Sequence, residues 1–115
     1  MTNEPRRYRN ISLAITNSSQ DAYTCPANTT AIIKEIIVTN IDGTNNADVT
    51  LSLHDGSASS AKAFVSTKQV DADTFLRLDS ANIYLEASDK IQAVASATGD
   101  LNLFLFLEEY YDPSR

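Results

Sequence analysis

Apolar and polar residues alternate one for one through most of this chain, and that period limits its fold more than any other feature. Leu101, Leu103, Leu105 and Leu107 share one parity, while Asn102, Phe104, Phe106 and Glu108 share the other. Successive side chains of a strand point to opposite faces, whereas a helix repeats its apolar positions every three to four residues. The same alternation runs through Ile11, Leu13 and Ile15, through Val49, Leu51 and Leu53, and through Ile91, Ala93 and Ala95. Ala63 with Val65, Phe75 with Leu78, and Ile83 with Leu85 mark three more strand faces. A short piece near Ala22 to Cys25 stops at Pro26, which has no backbone donor. From Thr30 to Ile41 β-branched residues are dense and favour a strand, although a helix is the lesser reading. Ile33, Ile36 and Val38 break parity across Lys34 and Glu35, so a bulge is expected there to turn all three inward.

Turn chemistry punctuates these segments: "TNSSQD", "DGTNNAD", "HDGSASSA" and "ATGD". With only three glycines in the chain, Asn and Asp are expected to take several left-handed positions. Asp-Gly and Asn-Asn in the Asp42 to Asp48 loop are expected to supply positive φ for a hairpin reversal. About eight short strands without a convincing amphipathic helix imply an all-β, single-domain antiparallel sandwich. Strand count favours the jelly roll over an immunoglobulin-like arrangement. The expected organisation is a basic N-terminal arm over residues 1–10, a sandwich over 11–109 and a short C-terminal tail over 110–115.

The charge distribution narrows the partners. Arg6, Arg7 and Arg9 outnumber Glu4 in the first ten residues, while the remaining 105 hold six basic and fourteen acidic side chains. Such a body repels nucleic-acid phosphates, so no nucleic acid partner is expected. The longest apolar run, around Leu101 to Leu107, is broken by Asn102 and is far short of a membrane span, and no membrane partner is expected. No apolar segment follows the basic start, so a Sec-type signal is not expected and synthesis in the cytoplasm fits best. Cys25, the single cysteine, excludes a disulfide within one chain.

Catalytic patterns are weak. His54 is the one histidine, and Asp55 beside it points to the opposite face of a strand, which does not suit a base-and-orienter pair. Asp42, Asn45, Asn46 and Asp48 offer hard oxygen ligands, but without the register or bidentate glutamate of a calcium loop; they read as turn residues. Asp71 and Asp73 read as a solvated loop rather than a hydrolytic pair. Tyr23, Tyr84, Tyr110 and Tyr111 are the aromatic candidates for a carbohydrate platform, against ordinary packing at strand ends. "NIS", "NSS" and "NTT" match the glycosylation sequon, most simply by chance. No cofactor and no metal are expected, and the chain reads as a non-enzyme.

Two features stand above this background. The arm carries three arginines that suit docking on a neighbour's carboxylates. The end, "LFLFLEEYYDPSR", joins an apolar strand to Glu108, Glu109 and Asp112. Arg6, Arg7, Arg9, Phe104, Phe106, Glu108, Glu109, Tyr110 and Tyr111 are therefore the candidate interface, with one subunit's arm pairing with the next subunit's acidic tail. The alternative is a frayed terminus and ordinary two-sided burial.

"YTCPANTTAIIKEIIVTNIDGTNNADVTLSLHD" followed by "IYLEASDKIQAVASATGDLNLFLFLEEY" resembles small β-sandwich virion proteins of tailed bacteriophages. The likeness covers about Tyr23 to Tyr110 and lies in structural motifs, so no catalytic residue carries over. The resemblance implies a virion structural protein, a capsid decoration or cement protein or a neck or tail accessory, made in the host bacterial cytoplasm. It also implies a homo-oligomer, a trimer above others, that contacts the major capsid protein or neck and tail proteins. A fibre module that binds a host glycan is the second hypothesis, and an enzyme around His54 the third. Under the first, deleting Met1 to Asn10 is expected to weaken attachment and leave the isolated fold intact.

Overall fold

The computed structural model describes residues 6–113, in nine strands and no helix among those residues. The strands are β1 (Arg6–Ala14), β2 (Gln20–Thr24), β3 (Thr29–Asn40), β4 (Ala47–Asp55), β5 (Ser60–Val70), β6 (Phe75–Leu78), β7 (Ile83–Leu85), β8 (Lys90–Ala95) and β9 (Leu101–Tyr111). Sheet A has the order β1-β9-β3-β6, with β7 also on β3, and sheet B the order β2-β8-β4-β5. The pairings nest: β4 with β5, β3 with β6 and β7, β2 with β8, and β1 with β9, all antiparallel. A long hairpin wound up on itself gives this order, which is a jelly roll. Since β6 and β7 both border β3, they fill one strand position, and nine strands occupy the eight positions of the fold.

Alternation decides what is buried. Leu101, Leu103 and Leu105 from β9 meet Ile33, Ile36 and Val38 from β3 and Val49 and Leu51 from β4 in one core. Each fully buried Leu or Ile contributes about 2 kcal/mol of transfer free energy. The bulge lies at Lys34: Ile33 is opposite Leu107 and Glu35 opposite Phe106, one extra residue on β3. Ile33, Ile36 and Val38 are all buried as a result.

Elsewhere parity differs from expectation. Two bulges in β5 set Val65 opposite Leu51 but Ala63 opposite Ser52, so Ala63 faces outward and is exposed. In β6, Leu76 and Leu78 face the core and Phe75 faces out. Left-handed backbone falls on Asn28, Asp73 and Asn82, but also on Ser59, Thr67, Ser80 and Ser88; among the glycines only Gly99 has positive φ. The Asp42 to Asp48 loop has no positive φ at all. Instead, Asp42 Oδ1 accepts from the amides of Thr44 (2.8 Å) and Asn45 (3.1 Å), and buried Asn40 donates to Asn45 O and Val70 O. Side-chain acceptors thus make the turn that positive φ at Asp-Gly and Asn-Asn was expected to make. Gly56 serves close approach, since a Cβ there would stand 2.7 Å from Ser88 O.

The boundaries also move. Arg6 to Asn10, expected as an arm, are the first five residues of β1 and pair with Phe106 to Tyr110. Tyr110 and Tyr111, expected in the tail, complete β9. The reason is mutual: β9 runs on past the acidic pair only because β1 and β3 bond both its edges there. Residues 1–5 of the arm and 114–115 of the tail lie outside the described residues.

Candidate assembly interface

The two outer faces of the sandwich differ in chemistry. On sheet B the outward residues include Asp48, Thr50, Ser52 and His54 of β4 and Gln92 of β8, with Asp21 of β2 bonded to Lys90 and Gln92. On sheet A the outward register is aromatic. Tyr8, Glu108, Ile32 and Tyr84 form one row across β1, β9, β3 and β7. Ser12, Phe104, Ile37 and Arg77 form another, with Phe106 between the rows and Phe75 opposite Thr39. Tyr8 is 69% exposed, Tyr84 68%, Phe75 64% and Phe106 38%. Phe64 on β5 of sheet B and Tyr111 at the end of β9 are exposed as well, but four of the six exposed aromatics among the described residues gather on this one face, and such a cluster marks a contact surface.

The bulge shapes this face. Lys34 stands beside Tyr8, Asn10, Phe106 and Glu108 around an open hollow of about 370 Å³. Tyr110 Oη–H donates to Glu108 at 2.6 Å, and Glu35 pairs with Arg77. Arg6 lies over the Tyr8 ring, 5.3 Å from its centroid.

The arginines meet carboxylates of their own chain. Arg7, Arg9 and Glu109 share the inward parity of β1 and β9, and Glu109 is only 4% exposed. Its carboxylate accepts from Arg7 Nε at 2.8 Å, from Arg9 Nη1 at 3.2 Å and from Tyr23 Oη. Arg9 also covers the Tyr23 ring at 5.9 Å. Burial pushes the Glu109 carboxyl up, but the hydrogen bonds from Tyr23, Arg7 and Arg9 outweigh it and hold the group below its ordinary value. Burial and the same carboxylate raise the Tyr23 phenol. Since Tyr23 belongs to sheet B, this cluster ties the β1 edge of one sheet to the other.

Of the nine interface candidates, Phe104, Phe106, Glu108 and Tyr110 lie on the outer face of sheet A, with Arg6 at its corner. Arg7, Arg9 and Glu109 form the internal cluster instead, and Tyr111 ends β9, exposed. Sequence reasoning missed Tyr8, Ile32, Ile37 and Phe75, and named Tyr84 only as a candidate for a carbohydrate platform. The signal was present in β3: Ile32 and Ile37 are the apolar residues left over once the bulged core set is assigned.

The catalytic candidates are occupied otherwise. Asp55 Oδ1 accepts from Ser57 N and Oγ, so its carboxylate is engaged in the turn that follows β4. His54 Nδ1 is enclosed with no hydrogen-bond partner among the described residues. The Cys25 thiol is pushed up to about 11, chiefly by burial, and donates to Thr29 O at 3.3 Å. Backbone and side-chain donors from Thr44 and Asn45 lower Asp42. Among the described residues, no three or more His, Cys, Asp or Glu are grouped so as to hold a metal.

No protein-family model matches the chain, and no curated protein matches it in sequence. The fold is similar to that of a protein from the disulfide-linked pili of Bacillus endospore appendages, with TM-score 0.55 and 15% identity over 92% of this chain and 86% of that one. It is similar to a chain of the cyanophage Pam1 capsid, with TM-score 0.50 and 12% identity over 92% and 84%. A chain of infectious bursal disease virus, Gx strain, gives TM-score 0.50 and 13% identity over 95% of this chain and 37% of that one. These likenesses show a shared fold.

Proposed function

We propose that the protein is a non-enzymatic structural subunit of a virion, and specifically a decoration or cement protein on a tailed-phage capsid. It acts as a homo-oligomer in contact with the major capsid protein, and is made in the cytoplasm of the bacterial host. The observation that carries this reading is the outer face of sheet A, where exposed aromatic side chains from four strands, β1, β6, β7 and β9, lie open on one sheet. A broad, shallow face spreads contact area over neighbours, whereas an enzyme needs convergent groups in a cleft. The fold shared with the Pam1 capsid chain supports the same reading. Nothing in the Arg7 and Arg9 pairs calls for a three-fold ring, because both arginines are satisfied within the chain.

The second reading is a neck, tail or fibre accessory that recognises a glycan. The hollow between Tyr8 and Phe106 favours it, since Lys34, Asn10 and Glu108 add polar groups beside two rings. Electron microscopy of purified particles labelled with an antibody against this chain separates the two. Label over the head surface is the expected result. Label confined to the tail selects the second reading, and particles that carry no label at all overturn both.

A further inference from the structure

We infer that the outer face of sheet A packs against the same face of a second copy of this chain, sheet on sheet. This rests on the structural-subunit reading and names the partner of its surface.

Area is the first argument. Four strand positions about 4.8 Å apart and eleven residues of β9 at about 3.3 Å each give a face of about 18 by 35 Å. Paired faces of that size bury about 1,200 Å², the lower bound for a specific, stable interface. The chemistry matches what such an interface buries at its centre: Phe104, Phe106, Ile32 and Ile37 in the middle strands, ringed by Tyr8, Tyr84 and Phe75.

Charge is the second. The chain carries a formal −6, so copies repel one another at most orientations. The strand rows of the outer face of sheet A are different: along them Arg6, Lys34 and Arg77 balance Glu35, Glu108 and Asp79, and the further acids Glu86 and Asp112 stand past the ends of β7 and β9. A neutral, aromatic face is the place where two acidic molecules meet at least electrostatic cost. A nucleic acid or acidic partner would want a surplus of cations there, and the face has none.

Sheets stacked face to face lie about 10 Å apart, so aromatic rings of one copy reach between those of the other. A same-face contact is isologous and closes at two copies. The two bulges of β5 and the arginines of β1 meanwhile discourage strand addition at one open edge of each sheet.

The test is sedimentation of the full chain from about 1 to about 500 µM, a span wide enough to catch a weak dimer. Wild type is expected to reach a dimer. Phe106→Glu and Tyr84→Glu each place unpaired charge in the face and are expected to raise the dimer dissociation constant at least about tenfold. Ala61→Glu, on the outer face of sheet B, is expected to leave it unchanged. Circular dichroism melts on each variant confirm folding, and both test residues are exposed in the single copy. A wild type that stays monomeric throughout overturns the inference. So does a wild-type oligomer untouched by both face variants, or one of three copies. In all three cases antibody label on particles still decides the structural-subunit reading by itself.

Discussion

At the scale of one residue, Glu109 is where sequence and chemistry part most sharply. Its neighbour Glu108 points outward to Tyr110, while Glu109 turns into the sandwich and meets two guanidiniums and a phenol. A buried carboxylate stripped of its charge leaves Arg7, Arg9 and Tyr23 without their acceptor, and breaking a buried pair costs several kcal/mol. Arg7 keeps 68% of its side chain in water and Arg9 38%, so screening reduces that figure. Glu109→Gln is expected to lower stability at pH 7 by about 2 kcal/mol, read from urea unfolding. The pH dependence has a definite sign. A carboxyl held below its unfolded value contributes stability that is present above the ordinary carboxylate range and is lost as pH falls through the lowered native value. The gap between wild type and Glu109→Gln should therefore narrow in acid, and a gap that is constant from neutral pH to about pH 2 would show that the charge plays no part.

At the scale of the element, β1 and β3 yield opposite expectations for small deletions. Deleting residues 1–10 was expected to spare the fold while an arm was the reading. With Arg6 to Asn10 in β1, the same deletion bares the β9 edge from Phe106 to Tyr110 and strips Glu109 of both cations. The shortened chain is expected to lose at least about 3 kcal/mol, and an unchanged urea midpoint would contradict the role given to β1. Deleting Lys34 looks worse on paper and should be milder. Lys34 is the extra residue of the bulge, so its removal joins Ile33 to Glu35 with every partner on β9 unchanged. The bond from Ala81 N to Lys34 O is lost, which costs about 1 kcal/mol. One alanine inserted after Ile37 is the contrasting case, because it turns Val38 and Asn40 outward and should abolish folding. These elements also show what was legible. The bulge was readable because Ile33, Ile36 and Val38 break parity across two charged residues. The β5 bulges were not, because Ala63, Phe64 and Val65 are all apolar and any register suits them. The start of β1 was hidden since its inward residues are Arg7 and Arg9, whose acceptor lies a hundred positions away. Their shared parity with Ile11 and Leu13 was the only sign. The interface was half visible for a related reason: Phe104 and Phe106 alternate within one strand, but Tyr8, Ile32, Phe75 and Tyr84 join them only through sheet order.

At the scale of the molecule, one thin sandwich presents a polar sheet and an aromatic one. The axes are 53 by 30 by 20 Å, so face-to-face stacking thickens the shortest direction and leaves the longest nearly unchanged, whereas end-to-end contact lengthens it. Small-angle scattering of the dimer distinguishes these shapes. Salt dependence then tests what drives the contact. Two chains of −6 repel over the Debye length, about 30 Å at 0.01 M and about 3 Å at 1 M. The apolar attraction of the rings does not weaken with screening, and the balanced charges of the face contribute little on either side. Raising salt from about 0.01 M to about 0.5 M is therefore expected to tighten the dimer, by removing repulsion between the acidic bodies. Had the association rested on arginine pairs between copies, the same titration would loosen it. The sign of that slope thus separates a ring-driven contact from the arm-and-tail pairing that the sequence first suggested, and the internal use of Arg7 and Arg9 on Glu109 favours the ring-driven one.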